Sequence, residues 1–406
     1  MKIGVWLDSN TNEQIGGGFS YYDRLVNSID NYSFDNSLDI CFVTNGNTER
    51  ISLKKEVIQL KTDIQPSLKE KFLCRIPMHR QRFKNLMNNR INNNKNKYYI
   101  NQLNQANVKI LYFLNPAFLL FNYLKEFPFI ATNWDIGHRS TFTFPEVASN
   151  YEISYRDNYY NNILPRALMI FCESNAGINE LVKYTTINKD RMRVVPMFPG
   201  KNGIMTVSVE KQNEILFKYS LSYNRFFYYP AQFWAHKNHY TLINAFADFL
   251  KKHQDYKLVL SGSDQGNLQY IKKTVSELNI EESVVFAGFV DSDTVYTLYK
   301  NATAMTMVPM MGPTNMPPLE AMDAGCPVIC SDFPGHREEL GDAAIYIDPI
   351  RKESIINAME CVVNDREKYC KLIEKQRTAT PHTLENALFC LNNNLIEAAR
   401  IRSLWG

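Results

Sequence analysis

Residues 309–349 read PMMGPTNMPPLEAMDAGCPVICSDFPGHREELGDAAIYIDP, and their order of loop, helix, strand and loop decides the fold. Gly312-Pro313-Thr314-Asn315-Met316 disfavours regular structure. Pro317 and Pro318 sit where a helix begins, because a missing N–H costs nothing in a first turn. Leu319 to Ala324 has helix-forming composition, and Gly325 ends it. Pro327-Val328-Ile329-Cys330 then reads as a buried strand, followed by a turn at Ser331-Asp332-Phe333-Pro334-Gly335. A tight loop feeding a helix start gathers free amide N–H groups at the positive end of a helix dipole, which suits a phosphate. Pro317 and Pro318 carry no N–H, so Asn315, Met316 and Leu319 are the expected backbone donors. Glu320, one turn in, is an acceptor for sugar hydroxyls. The same stretch also fits an ordinary helix–strand unit of a parallel sheet with a surface carboxylate.

Outward from this stretch, strands and helices alternate in both halves of the chain. That pattern predicts α/β architecture with two doubly wound parallel sheets, and the cleft between them is the expected binding site. The 406 residues exceed what one core holds. The expected divisions are a first domain over 1–205, a linker over 206–222, a second domain over 223–380, and a last amphipathic helix within 381–406. A hydrophobic content of 45% with 21% charged residues is that of an ordinary globular chain. The net charge of +3 gives no reason to expect a nucleic-acid partner. The eight cysteines are scattered, mostly through apolar runs, which predicts buried reduced thiols; Cys326 and Cys330 flank a proline and a strand, so no metal pair is expected. The start of the sequence has no apolar leader, and the most hydrophobic window, 110–130, is broken by Asn, Pro and charges. The expectation is a cytoplasmic protein without a membrane span.

Local features add candidates. The glycines around Gly17 and Gly18, between a first strand and a first helix, let backbone approach a ligand closely, although the spacing is not a dinucleotide fingerprint. Residues 69–97 carry nine basic side chains against one acid, interleaved with apolar ones. That composition fits both an amphipathic face on an anionic membrane and a solvated helical surface. Trp134-Asp135-Ile136-Gly137-His138-Arg139 puts ionisable groups at a strand end, where open α/β sheets bind ligands; the same spacing suits a structural hydrogen-bonded pair. Lys237, between a strand and a helix, is well placed to neutralise a diphosphate.

The stretch 309–349 resembles the donor-site signature of retaining GT-B glycosyltransferases, the large group that uses nucleotide-sugar donors and builds bacterial polysaccharides. Pro317-Pro318-Leu319-Glu320-Ala321-Met322 and Ala324-Gly325-Cys326-Pro327-Val328-Ile329 match the second half of that signature. Its first glutamate is missing, with Gly312 in its place. The resemblance implies a GT-B fold of two Rossmann-like domains, with Glu320 on the donor ribose and Lys237 on the diphosphate. It further implies that His138 reaches towards the donor sugar, that the Gly262-Ser263-Asp264 turn lies near the nucleotide, and that the loop at Gly288-Phe289-Val290 faces the base. Gln232 stands where the family has an arginine, and His236 or His239 is the candidate to replace that cation. The implied activity is transfer of a hexose from a nucleoside diphosphate sugar to a lipid-linked oligosaccharide, as in O-antigen or capsule assembly, with no metal. The departures at Gly312 and Gln232 equally suit a non-catalytic sugar-nucleotide-binding scaffold, and a GT-B epimerase acting on the free nucleotide sugar is the third reading.

Overall fold

Short apolar runs such as Met169–Cys172 and Ala304–Met307, buried along their whole length, form the strands of two all-parallel sheets. The computed structural model describes residues 1–8, 17–46, 52–61, 96–116, 124, 126–148, 152–203 and 205–405. Nearly all of the basic stretch 69–97, and the loop before Gly17, lie outside these. The first sheet comprises β1 (Lys2–Trp6), β2 (Asp39–Thr44), β3 (Val57–Gln59), β4 (Ile110–Phe113), β5 (Phe129–Asn133), β6 (Met169–Cys172) and β7 (Met192–Val194), in the order β3-β2-β1-β4-β5-β6-β7. The second comprises β8 (Phe226–Pro230), β9 (Lys257–Ser261), β10 (Val284–Gly288), β11 (Ala304–Met307), β12 (Val328–Ser331) and β13 (Ala344–Ile347), in the order β10-β9-β8-β11-β12-β13.

Each order reverses once, between β1 and β4 in the first sheet and between β8 and β11 in the second. Crevices at such reversals, beyond the carboxyl ends of the strands, are where open α/β sheets bind ligands. Register fixes the faces: Met305 of β11 pairs with Tyr228 of β8 on one side and Val328 of β12 on the other.

The helices that position the cleft follow from local chemistry. Met316–Asp323 has Asn315 at its cap with extended backbone and prolines in its first turn. Asn175–Tyr184 is capped by Ser174, whose hydroxyl accepts from the Gly177 N–H at 3.0 Å. Leu384–Ser403 buries Ala387, Leu388, Leu391, Leu395 and Ala398 in the core of the first sheet, and the Arg193 Nε donates to Glu397 at 2.9 Å.

The segment 206–222 carries the helix Val209–Lys218, which sends Leu216 into the second core, and the Asn301 amide donates to Gln212 at 3.0 Å. The helix Glu152–Asn158 is followed by two further turns up to Arg166. Among the described cysteines, Cys41, Cys172, Cys326 and Cys330 are buried free thiols, whereas Cys361 is exposed and Cys370 and Cys390 are half-buried. Among the described residues no helix is long and apolar enough to cross a membrane.

Candidate active site

Two adjoining cavities open at the carboxyl ends of β8 and β11, and Pro230, Ala231, Gln232, Met316 and Pro317 line both. The first, about 380 Å³, is walled by the Ser261-Gly262-Ser263 turn after β9, by residues 289–292 after β10, and by Tyr299 and Glu320. Ser20, Lys201 and Asn202 close it from the first domain and the interdomain turn. Gly262 has φ +145, and a Cβ there would lie 2.4 Å from the Ala231 carbonyl oxygen, so the floor of this cavity requires glycine. Phe289, 57% exposed, stands at the mouth.

Glu320 is 2% exposed, and the Tyr299 hydroxyl donates to its Oε2 at 3.3 Å. Burial pushes its carboxyl up to about 7, with Asn202 and Tyr299 pulling the other way. Arg24, whose guanidinium donates to the Gly200 carbonyl at 3.1 Å and lies over the Phe198 ring, adds a nearby positive charge.

The second cavity, about 340 Å³, contains Lys237, His236, Asp135, Glu173 and the loop 311–315. Lys237 donates from Nζ to the Asn315 amide oxygen at 3.1 Å. The Asn315 amide nitrogen in turn lies 3.0 Å from His336 Nε2, and His336 Nδ1 lies 2.7 Å from the Ser331 carbonyl. A carbonyl only accepts, so Nδ1 carries the proton and Nε2 accepts from Asn315. Full burial lowers His336 to about 4, which keeps that imidazole neutral. Lys237 is therefore held in place by a directed chain of neutral groups and, among the described residues, has no salt bridge to a carboxylate. Burial lowers its ammonium to about 8, opposed by the charges of Asp135 and Glu146.

The structure sorts the sequence candidates. Gln232 lines both cavities, and its amide oxygen accepts from the Trp234 indole at 2.9 Å. His236 lines the second cavity, but its backbone N–H donates to Glu146 Oε1 at 2.8 Å and its Nδ1 meets the same carboxylate. Burial lowers its pKa, with the Glu146 contact pulling the other way. His239 is fully buried, stacked on Phe233 and lowered to about 3, and belongs to the core. Gly262, Asn315 and Met316 stand at the cavities. Leu319 is fully buried in the second core, and four positions beyond the Asn315 cap its N–H meets the first carbonyl acceptor of its own helix. That leaves the Met316 N–H as the helix-start donor after the cap. Gly17 and Gly18 open the helix Gly17–Asn31, and its next turn reaches the cavities through Ser20 and Tyr21. His138 is outside the lining of both: its Nε2 pairs with Asp157 at 3.0 Å and its ring stacks on Tyr160. The neighbouring Asp135 lines the cavity in its place. Gly312 has φ +106, a conformation that strains any L side chain.

Sequence reasoning missed Glu173, Tyr299, Asn202 and His336. Glu173 and Asn202 are distant in sequence from the loop and helix they meet, and Tyr299 and His336 reach Glu320 and Asn315 only across 21 positions.

Residues 211–379 match the family described as Glycosyl transferases group 1. Over 127 residues the chain is 34% identical to the uncharacterized glycosyltransferase MJ1607 of Methanocaldococcus jannaschii, spanning 30% of this chain and 32% of that protein. Over 223 residues it is 26% identical to the serotype-specific mannosyltransferase WbdA of Escherichia coli, spanning 53% of this chain and 27% of that one. The chain thus spans about a third or less of the length of these relatives. The crystal structure of Anabaena Alr3699/HepE in complex with UDP-glucose superposes with a TM-score of 0.66 at 16% identity, covering 98% of both chains. The match to the group 1 glycosyltransferases thus falls on the second domain and the segment leading into it, and the two facing parallel sheets have the GT-B arrangement.

Proposed function

We propose that the chain is a retaining hexosyltransferase that moves a sugar from a nucleoside diphosphate donor onto a lipid-linked oligosaccharide during assembly of a cell-surface polysaccharide, at the cytoplasmic face of the membrane. The observation that carries this reading is the junction of the two cavities at Met316 and Pro317: a buried carboxylate, Glu320, lies on one side and a half-buried ammonium, Lys237, on the other. A nucleoside in the first cavity sets its ribose hydroxyls against Glu320 and its base towards Phe289. Its diphosphate then crosses the junction to Lys237 and the Met316 N–H. The group 1 family, the likeness to a mannosyltransferase and the fold shared with a protein that binds UDP-glucose all support this assignment.

In this reading the bond from the anomeric carbon to phosphate oxygen breaks as the acceptor oxygen bonds to that carbon on the same face, and the acceptor proton passes to the leaving phosphate. Negative charge grows on the diphosphate, so preorganised positive charge there lowers the barrier. Lys237 supplies it, held in place before the donor arrives. The chemistry calls for no metal, and turnover is expected to persist in EDTA.

The test is incubation of purified protein with UDP- and GDP-hexoses and a polyprenyl diphosphate oligosaccharide, with the glycan product read by mass spectrometry. A thermal-shift screen precedes it, since a ligand at 100 times its dissociation constant adds about 2.7 kcal/mol of stability. No shift with any nucleoside diphosphate overturns the reading. A changed sugar configuration without acceptor turns it towards an epimerase. The basic composition of 69–97 points to an anionic bilayer as the place of the acceptor, and vesicle binding should weaken with salt.

A further inference from the structure

The second cavity holds an acidic group that this chemistry leaves unused. Glu173 follows β6 in the first domain and meets the loop of the second: its Oε1 accepts the Thr314 hydroxyl at 3.1 Å. Among the described residues its Oε2 is buried without a hydrogen-bond partner, and the residue is only 4% exposed. A buried carboxyl oxygen left in this state is destabilising, and a hydroxyl arriving with a ligand relieves it.

The other carboxylate lining this cavity is already engaged. Asp135 Oδ1 accepts the Gly137 N–H at 2.8 Å and an Arg156 guanidinium N–H at 3.2 Å. The left-handed backbone at Gly312 supplies no side chain. Lys237 binds Asn315, and Glu173 binds Thr314, the residue beside it. Cation and carboxyl thus flank neighbouring positions of one loop and line the same cavity, so a sugar joined to a diphosphate at the first enters the space that the second faces.

We infer that Glu173 binds the transferred sugar, its unpaired oxygen engaging a hydroxyl of the hexose whose diphosphate lies against Lys237. This rests on the reading of the cleft as a nucleotide-sugar site. Burial, reinforced by the charges of Asp135 and Glu180, pushes the Glu173 carboxyl well above its usual range. A neutral carboxyl both donates to and accepts from a sugar hydroxyl. Because Glu173 belongs to the first domain and Lys237 to the second, a sugar joined to its nucleotide contacts both, whereas the bare nucleotide lacks the Glu173 contact.

The test compares titration calorimetry of UDP with UDP-glucose, and of GDP with GDP-mannose, for the wild type, Glu173→Ala and Glu173→Gln, with Asp135→Asn alongside. Glu173→Gln keeps the shape and the Thr314 contact should Glu173→Ala fold poorly. For the pair that the wild type binds, Glu173→Ala is expected to weaken the nucleotide sugar about tenfold and leave the nucleoside diphosphate within about twofold, the loss of one hydrogen bond. Glu173→Gln falls between. Equal weakening of both ligands, no weakening of either, or a sugar-specific loss in Asp135→Asn with none at Glu173 overturns the inference while the cleft assignment stands. A wild type that binds neither pair overturns both.

Discussion

Two single charges govern the proposed donor site, and both titrate near neutrality. Glu320 ionises at about 7 and Lys237 loses its proton at about 8, each displaced by burial. A ribose hydroxyl donates to a carboxylate, so donor affinity rises as pH climbs through about 7. A diphosphate binds ammonium, so affinity falls once pH passes about 8. Calorimetry with UDP-glucose, whose diphosphate does not itself titrate in this range, is expected to give a narrow bell between these values. Lys237→Ala should weaken it about 10- to 100-fold and remove the alkaline limb, since a hydrogen bond to a charged group is worth about 1.5–3 kcal/mol. Glu320→Gln should remove the acidic limb. An affinity that does not change from pH 6 to pH 9 would rule out these roles for both residues.

At the scale of elements, the loops matter more than the strands they follow. Gly262→Ala drives a Cβ into the Ala231 carbonyl at φ +145, and should cost about 1–3 kcal/mol and lower the melting temperature by several degrees. Restoring the family's carboxylate by Gly312→Glu should also destabilise the chain, by about 1–3 kcal/mol, without raising turnover, because φ is +106 there. Denaturant melts and initial rates of both variants check this; an active, stable Gly312→Glu refutes it. The parallel strands, the helix start at Pro317 and Pro318 and the place of Lys237 between a strand and a helix were legible in the sequence because apolar runs, prolines and a strand–loop–lysine order are local signals. The edge strands Val57–Gln59 and Ala344–Ile347 were not, being three or four residues long with partly exposed side chains. Nor was the support beneath Lys237, since His336 reads as one more helix residue until β12 brings the Ser331 carbonyl to it. Nor was the partner of His138, since Asp157 lies on a later helix that spacing does not link to it.

Across the whole molecule, the site exists only while the two domains face each other, and named polar contacts hold that arrangement. Glu338 of the second domain accepts from the backbone N–H groups of Asn175 and Ala176 at 2.9 and 3.0 Å, so its carboxylate sits at the positive end of a first-domain helix. The Thr141 hydroxyl donates to the Met310 carbonyl at 2.8 Å, and Glu146 binds His236 across the same gap. Neither sheet needs these bonds for its own core, so removing them should open the cleft before it unfolds a domain. The double variant Glu146→Ala with Glu338→Ala is therefore expected to enlarge the radius of gyration in X-ray scattering and to weaken UDP-glucose about tenfold or more. Saturating UDP-glucose should bring the radius back towards the wild-type value, because a ligand bridging Lys237 and the first domain favours the closed form by its differential affinity. A variant that stays as compact as the wild type without ligand would show that apolar packing alone, and not these carboxylates, keeps the lobes together.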